Sequence, residues 1–420
     1  MDNIALRRQR PLGLTDLFGE QAAAYAGLER TLIEQFERWG YRRVVLPTIG
    51  YDETLSTQAS PRLREQLYRF FDRDGRELAL RPDMTVPVAR LVGTTLYDQP
   101  FPQRFYYTGK VFRYEQPQAG QRREFTQVGI ELIGAASAEA DAETIAVAIE
   151  ALSTLGVDTF QINLGQVEFL KSILNGRGLS AEALFALEQA ISRKSHVEIQ
   201  HTLDALEIGG EVAEVVLALP GLCGDLDVIA RARHLTASPA AHHALDHLAH
   251  VYELLTLDGH AAHLILDLGE VRSMDYYTGI SFHGYVSGLG FHVLSGGRYD
   301  RLIGHFGPDL PAVGFAMSIE RALLVATKSA LKGADLVLPA CEHAACRRLA
   351  RLARSFGLRV ELELLGRSGD ALANDALARG ADHVVLSCDG ERCLLMDAGS
   401  AKPRELTYDA LEAEVRTWSR

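Results

Sequence analysis

No run of about 18 apolar residues occurs in this sequence, so no membrane span is expected. Its first residues, MDNIALRRQRP, carry no apolar stretch of signal-peptide length. From these absences we expect a cytoplasmic location. A global basic field is also missing. The formal net charge is −12, which disfavours non-specific nucleic-acid binding and leaves only a local basic groove open. Cysteine is scarce, with five in the chain. An odd count without a secretory signal argues for free thiols in a reducing compartment. Cys341 and Cys346, like Cys388 and Cys393, are separated by four residues. Zinc sites use tighter pairs, so no metal site is expected, and these thiols read as buried or incidental.

What is present fits a soluble globular protein. The chain has 420 residues, 47% hydrophobic and 23% charged, enough for two or three domains. The informative stretch is Phe105 to Gly134, FYYTGKVFRYEQPQAGQRREFTQVGIELIG. Phe105–Glu115 is aromatic and β-branched, as a strand should be. Glu124–Gly134 alternates. Val128, Ile130 and Leu132 point one way, and Gln127, Gly129 and Glu131 the other, because strand side chains repeat every two residues. Pro117 and Gly120 mark the loop between the strands. The expected product is an antiparallel hairpin with one apolar face and one charged face that includes Arg113 and Glu115. Such a face is often just the wet side of a sheet. If it is buried, something polar must sit on it, and a small zwitterion or a phosphate suits the charges.

Along the chain, Thr15 or Asp16 is the candidate cap of a helix over Ala22–Trp39, with Leu28, Leu32 and Phe36 at helical spacing. Leu67–Asp72 and Glu77–Leu80 read as strands around the Asp74-Gly75 turn. In RPDMT, residues 81–85, Thr85 is a candidate N-cap for a helix with Pro87 in its first turn, and Asp83 is either part of the cap or an acid facing a ligand amine. A helix over 138–155 and a strand over 159–164 follow. Residues 166–259 lose strand signals and read as a helical insertion. His243, His247 and His250 there share a helix face and are expected to form a surface or interface stripe. Strands return at 263–268, 279–286 and 291–294. The glycines of SGGRYD, residues 295–300, suggest a sharp turn or a close backbone approach. A last strand over 311–317 leads into a helix that carries Arg321. A linker near Lys332 precedes alternating strands and helices, a separate small α/β domain.

These motifs resemble a known family. FRYEQPQAGQRREFTQVGIELIG is similar to motif 2 of class II aminoacyl-tRNA synthetases in their histidyl variety. RPDMT, VRSMDYYTG, SGGRYD and AVGFAMSIER resemble that family's amino-acid-binding and motif 3 segments, and they occur in the family's order. The resemblance implies an α+β fold over residues 1–330, a class II synthetase-like antiparallel sheet flanked by helices with a helical insertion at about 166–259. Residues 334–420 resemble, more loosely, an anticodon-binding domain.

Two branches share these motifs: histidyl-tRNA synthetases and the regulatory subunits of ATP phosphoribosyltransferase. RPDMTVPVARLV, Thr126 in REFTQ, and Ser273 and Met274 in RSMDYY are closer to the regulatory branch. So is Ser318 where the family has glycine, because a hydroxymethyl group there should crowd the adenine of ATP. Arg113 and Arg321, which match ATP-phosphate arginines, favour the synthetase, as does the presence of a C-terminal domain. His283 departs from the regulatory branch, which usually has glutamate there.

The expectation is a non-catalytic regulatory subunit, with histidyl-tRNA synthetase as the alternative. The resemblance implies that histidine is the regulatory ligand. Asp83, Thr85, Gln127 and Glu131 would stand around its ammonium, Arg113 would hold its carboxylate, and Arg272, Tyr276 and Tyr277 would close the pocket. Arg113, Arg123 and Arg321 would form a vestigial ATP site. The implied partner is a short-form ATP phosphoribosyltransferase catalytic subunit, with self-association, no cofactor, no metal, and no tRNA or membrane partner.

Overall fold

The computed structural model describes residues 8–116, 122–157, 159–271, 276–326, 333–400 and 402–418. Pro117, Gly120, Arg272, Ser273, Met274 and Lys332 lie outside the described residues. The chain divides into two units, Met1–Lys328 and Ser329–Arg420.

The first unit opens with α1, Gly19–Arg38, whose Leu28, Leu32 and Phe36 fall on one face and are buried. Neither Thr15 nor Asp16 caps it. Phe18 holds the N-cap position without a side-chain bond, since the helix begins earlier than the apolar period indicates. The strands that follow are β1 (Arg42–Arg43), β2 (Ile49–Tyr51), β3 (Arg69–Phe71), β4 (Glu77–Leu80), β5 (Gln103–Phe112) and β6 (Glu124–Ile133). Next come β7 (Phe160–Gln166), β8 (Cys223–Gly224), β9 (Leu264–Asp267), β10 (Ile280–Val286), β11 (Leu294–Arg298) and β12 (Ala312–Ser318). Among the described residues, nine of them form one sheet in the order β1-β5-β6-β12-β11-β10-β7-β9-β8, and β2-β4-β3 form a small separate one. The large sheet is antiparallel except at β1–β5 and β7–β9.

The period of two in β6 sorts the sheet into two faces. Val128, Ile130 and Leu132 pack against Leu28, Leu32 and Phe36 of α1 and against Ile145 and Ile149 of α3, Ala138–Ser153. Each large apolar side chain fully buried there contributes about 1.5–3 kcal/mol. On the opposite face, Tyr107 and Val111 of β5 pack with Val86, Val88 and Ala89 of α2, Thr85–Leu91. Gln127 and Glu131 are carried on that second face and are buried, so the charged face is not the wet side of a sheet.

Residues 166–259 hold six helices: α4 (Val167–Leu174), α5 (Ala181–Ser192), α6 (His196–Ala205), α7 (Glu211–Ala218), α8 (Asp227–His234) and α9 (Pro239–Leu257). The helical expectation needs two corrections. Cys223–Gly224 is a strand that pairs with β9, and a two-residue strand is too short to show a period. The histidine stripe of α9 is exposed at His243 and His250 as expected, but its middle member is engaged. His247 Nε2 lies 2.7 Å from Asp141 Oδ2, and that buried carboxylate also accepts from Arg298 at 2.7 Å. His242 Nε2 stands 2.8 Å from the Thr236 carbonyl. Of the two readings of the SGGRYD glycines the structure shows the close approach, because Gly296 and Gly297 lie inside β11. A Cβ on Gly296 would stand 2.4 Å from the Phe282 ring, so close approach, not turning, is why glycine is needed there. The short α10 (Ile319–Ala322) follows β12 directly.

In the second unit, β13 (Leu336–Leu338), β14 (Val360–Leu362), β15 (His383–Cys388), β16 (Arg392–Asp397) and β17 (Arg404–Thr407) form a sheet in the order β14-β13-β15-β16-β17. Its helices are α11 (Ala344–Ser355), α12 (Gly369–Ala378) and α13 (Tyr408–Thr417). The polar β17 carries no apolar alternation, so its sequence holds no sign of a strand.

Candidate functional site

A cavity of about 600 Å³ opens on the second face of the large sheet. Asp83, Thr85, Arg113, Gln127 and Glu131 line it, as do Tyr276, Tyr277 and Arg321. These residues are spread along most of the first unit. The fold joins them because β6 runs beside β5 and β12, while the loop before α2 and the tyrosines before β10 cover the same face.

Glu131 sits deepest and is only 1% exposed. Tyr107 Oη donates to its Oε1 at 3.2 Å, and the Tyr299 hydroxyl makes a short bond to its Oε2. Burial pushes its carboxyl up to about 8, partly opposed by the hydroxyls of Tyr299, Thr85 and Tyr107, while the nearby Asp83 charge pushes it further up. The acid therefore holds its proton at neutral pH, and a cation beside it would favour the ionised form. The strand beside it must be bare at one position. A Cβ on Gly314 would lie 1.8 Å from Glu131 Oε2.

Asp83 caps a helix and lines the cavity. Its Oδ1 accepts from the Val86 N–H at 3.1 Å, capping α2, and it faces the cavity. Burial raises its carboxyl, against the Val86 N–H and the Arg113 charge. Thr85 is not the N-cap, since Met84 holds that position. Gln127 Oε1 accepts from the Met84 N–H at 3.1 Å, which leaves its amide N–H₂ to donate.

Two cations line the same cavity. Arg113 donates from Nε to the Pro82 carbonyl at 2.9 Å and stands 5.4 Å over the Phe125 ring. It follows the end of β5 rather than lying on it. Arg321 donates to the His292 carbonyl at 3.1 Å. Burial lowers its pKa, and the Arg113 charge adds to that. Such a site gains from an anion. Tyr276 stacks on Tyr299 with ring centres 5.5 Å apart, and Tyr277 meets Tyr276 edge-on at 5.2 Å. Burial raises both phenols above their ordinary range. They are neutral, hydrogen-bonding aromatic walls. Acids, arginines and rings thus surround one space that fits a small zwitterion with a flat side chain.

Two expectations fail at this site. Arg123 does not line the cavity. Its Nε donates to the Glu115 carbonyl at 3.0 Å, and its guanidinium lies 4.1 Å over Tyr114. Ser318 does not crowd the cavity either. Its hydroxyl accepts from the Arg321 N–H at 3.3 Å and donates to Glu320 at 3.4 Å, because it is spent on capping α10. Arg272 lies outside the described residues. Sequence reasoning also missed Tyr107, Tyr299 and Gly314. Tyr107 could have been found from its register opposite Gly129, had the pairing been known. His283, 4% exposed, has its Nδ1 3.7 Å from Glu270 Oε1.

Comparisons with known proteins show the family. The family model described as histidyl-tRNA synthetase matches residues 13–322. An ATP phosphoribosyltransferase regulatory subunit of Moorella thermoacetica is 42% identical over 375 residues, 89% of this chain and 96% of that protein. Its counterpart in Symbiobacterium thermophilum is 40% identical over 394 residues, 92% of this chain and 98% of that protein. A solved Bacillus halodurans structure, described as an ATP phosphoribosyltransferase regulatory subunit/histidyl-tRNA synthetase, superposes with a TM-score of 0.78 at 31% identity, covering 88% of this chain and 96% of that one. A histidyl-tRNA synthetase from Nostoc shares the fold, with a TM-score of 0.81 at 21% identity and coverage of 98% of this chain and 99% of that one. On the histidyl-tRNA synthetase fold, this chain belongs to the family of ATP phosphoribosyltransferase regulatory subunits.

Proposed function

We propose that the cavity binds L-histidine and that the chain relays its level to a catalytic ATP phosphoribosyltransferase subunit, with no catalytic step of its own. The observation that carries the reading is the pairing of two acids, half-buried Asp83 and buried Glu131, with Arg113 in one cavity. The α-ammonium sits between the acids, and the carboxylate lies on the Arg113 guanidinium. Thr85 lies beside the ammonium. Gln127, whose oxygen is engaged by Met84, donates to the carboxylate or to an imidazole nitrogen. Tyr276 and Tyr277 flank the imidazole. The partner is the short-form catalytic subunit, which joins ATP to phosphoribosyl pyrophosphate at the first step of histidine synthesis. Histidine then feeds back through a coupling free energy between this cavity and the partner's site. Self-association and a cytoplasmic location belong to the same proposal. Among the described residues no helix is long and apolar enough to cross a membrane.

One observation favours a second reading, an active histidyl-tRNA synthetase. Arg113 and Arg321 both face the cavity, where arginines suit the phosphates of ATP. Histidine-dependent exchange of pyrophosphate into ATP separates the two. The proposal expects none above background from the purified chain, and robust exchange replaces it with the second reading.

A further inference from the structure

Four of the five cysteines fall in the second unit, and three of these converge. Cys341 follows β13, Cys346 is in the first turn of α11, and Cys388 ends β15. The Cys341 and Cys388 sulfurs are 2.7 Å apart, and those of Cys346 and Cys388 are 3.1 Å apart. All three lie within 4.8 Å of one another. Spacing along the chain concealed this, because the third sulfur comes from a strand 42 residues beyond Cys346.

We propose that Cys341, Cys346 and Cys388 form a binding site for a thiophilic d¹⁰ cation, with Zn²⁺ as the fitting ion, that ties β13, α11 and β15 together. Three sulfur donors suit such an ion, and water fills the fourth tetrahedral position. Zn–S bonds of about 2.3 Å set the sulfurs about 3.8 Å apart in a tetrahedron, so the 2.7 and 3.1 Å separations widen by roughly 1 Å through side-chain rotation to admit the ion. The surroundings are those of a ligand set. The His343 backbone N–H donates to Cys341 Sγ at 3.4 Å, and the Tyr408 hydroxyl stands 2.7 Å from Cys346 Sγ. Hydrogen bonds of this kind orient thiolate ligands and hold their charge. Cys346 is 2% exposed, while Cys341 and Cys388 are only partly buried, so an ion has a route in. Thiols packed merely as small hydrophobic groups have no reason to converge from three separate elements. Cys393 shows that alternative in the same core. It is 3% exposed and stands outside the group.

The test uses the full chain, purified anaerobically with a non-thiol reductant. Zinc measured by mass spectrometry is expected at one ion per chain in the wild type and in Cys223→Ser. It should fall to background in Cys341→Ser and Cys388→Ser. Cobalt titration of the wild type needs no variant and so does not depend on any variant folding. The intense near-ultraviolet thiolate-to-cobalt charge-transfer band should appear and saturate at one equivalent. A fully reduced wild-type chain with background zinc and no such band overturns the proposal. So does a cobalt band that persists unchanged in Cys341→Ser and Cys388→Ser together.

Discussion

Histidine affinity should climb steeply between pH 6 and pH 8, and Glu131→Gln should flatten the climb. In the empty cavity burial holds the Glu131 carboxyl up to about 8. An ammonium pairs well only with the ionised form, so binding must first remove the proton. The ionised fraction is about 1% at pH 6 and about half at pH 8, which predicts a rise of about 50-fold in association constant. The ligand's imidazole also titrates. If the cavity takes it neutral, that adds at most about fourfold over the same range. The substituted amide keeps the shape of the acid and removes its charge, so the variant should retain only this smaller dependence. Losing one member of a buried charged contact costs roughly 2–5 kcal/mol, so its affinity at pH 8 should fall at least about 30-fold. Isothermal calorimetry of L-histidine against both proteins at pH 6, 7 and 8 measures each term. A wild-type affinity that is flat across this range, or a variant with the wild-type slope, refutes the reasoning.

Other predictions rest on the same contacts. Without ligand, the folded state keeps a proton on Glu131 that the unfolded chain releases near its ordinary value of 4.5. Stability should therefore decline as pH rises from about 4.5 to 8, by at most about 1.4 kcal/mol per pH unit, and less steeply in Glu131→Gln; urea midpoints across pH show the difference. Tyr299→Phe removes the short bond to Glu131 and should move the affinity rise to higher pH at a stability cost of about 1–2 kcal/mol, read by calorimetry and thermal melts. Gly314→Ala places a methyl group where Glu131 Oε2 lies and should cost about 1–3 kcal/mol and most of the histidine binding, read by the same two methods. Asp141→Asn removes the fully buried one of the two acidic partners of Arg298, leaving Asp300 at 3.1 Å, and should cost at most about 3–5 kcal/mol in urea unfolding.

The sequence was legible where period and partner coincide. Val128, Ile130 and Leu132 announced a buried face by alternation alone, and they lie on it. Leu28, Leu32 and Phe36 announced α1 in the same way. The motif resemblance brought Asp83, Arg113, Gln127 and Glu131 to one place before any fold was known. Contacts set by register were illegible. Tyr107 and Tyr299 reach Glu131 from two other segments, and nothing in the local pattern of either tells a core phenol from one that holds a carboxylate. Capping chemistry misled in both directions. Ser318 read as an obstruction to a nucleotide, but its hydroxyl is turned to Arg321 and Glu320. Thr85 read as a cap, but Asp83 does the capping. His243 and His250 of α9 lie at the surface as read, but His247 between them reaches a buried partner, Asp141, 106 positions away.

The central claim is that this chain governs a partner's reaction in response to histidine. Formation of phosphoribosyl-ATP by a purified short-form catalytic subunit tests it most directly, measured with and without this chain and with and without L-histidine. The account predicts that synthesis depends on this chain, that histidine suppresses it, and that Glu131→Gln keeps the activation while losing the histidine response. Synthesis unaffected by this chain at any histidine concentration would contradict it.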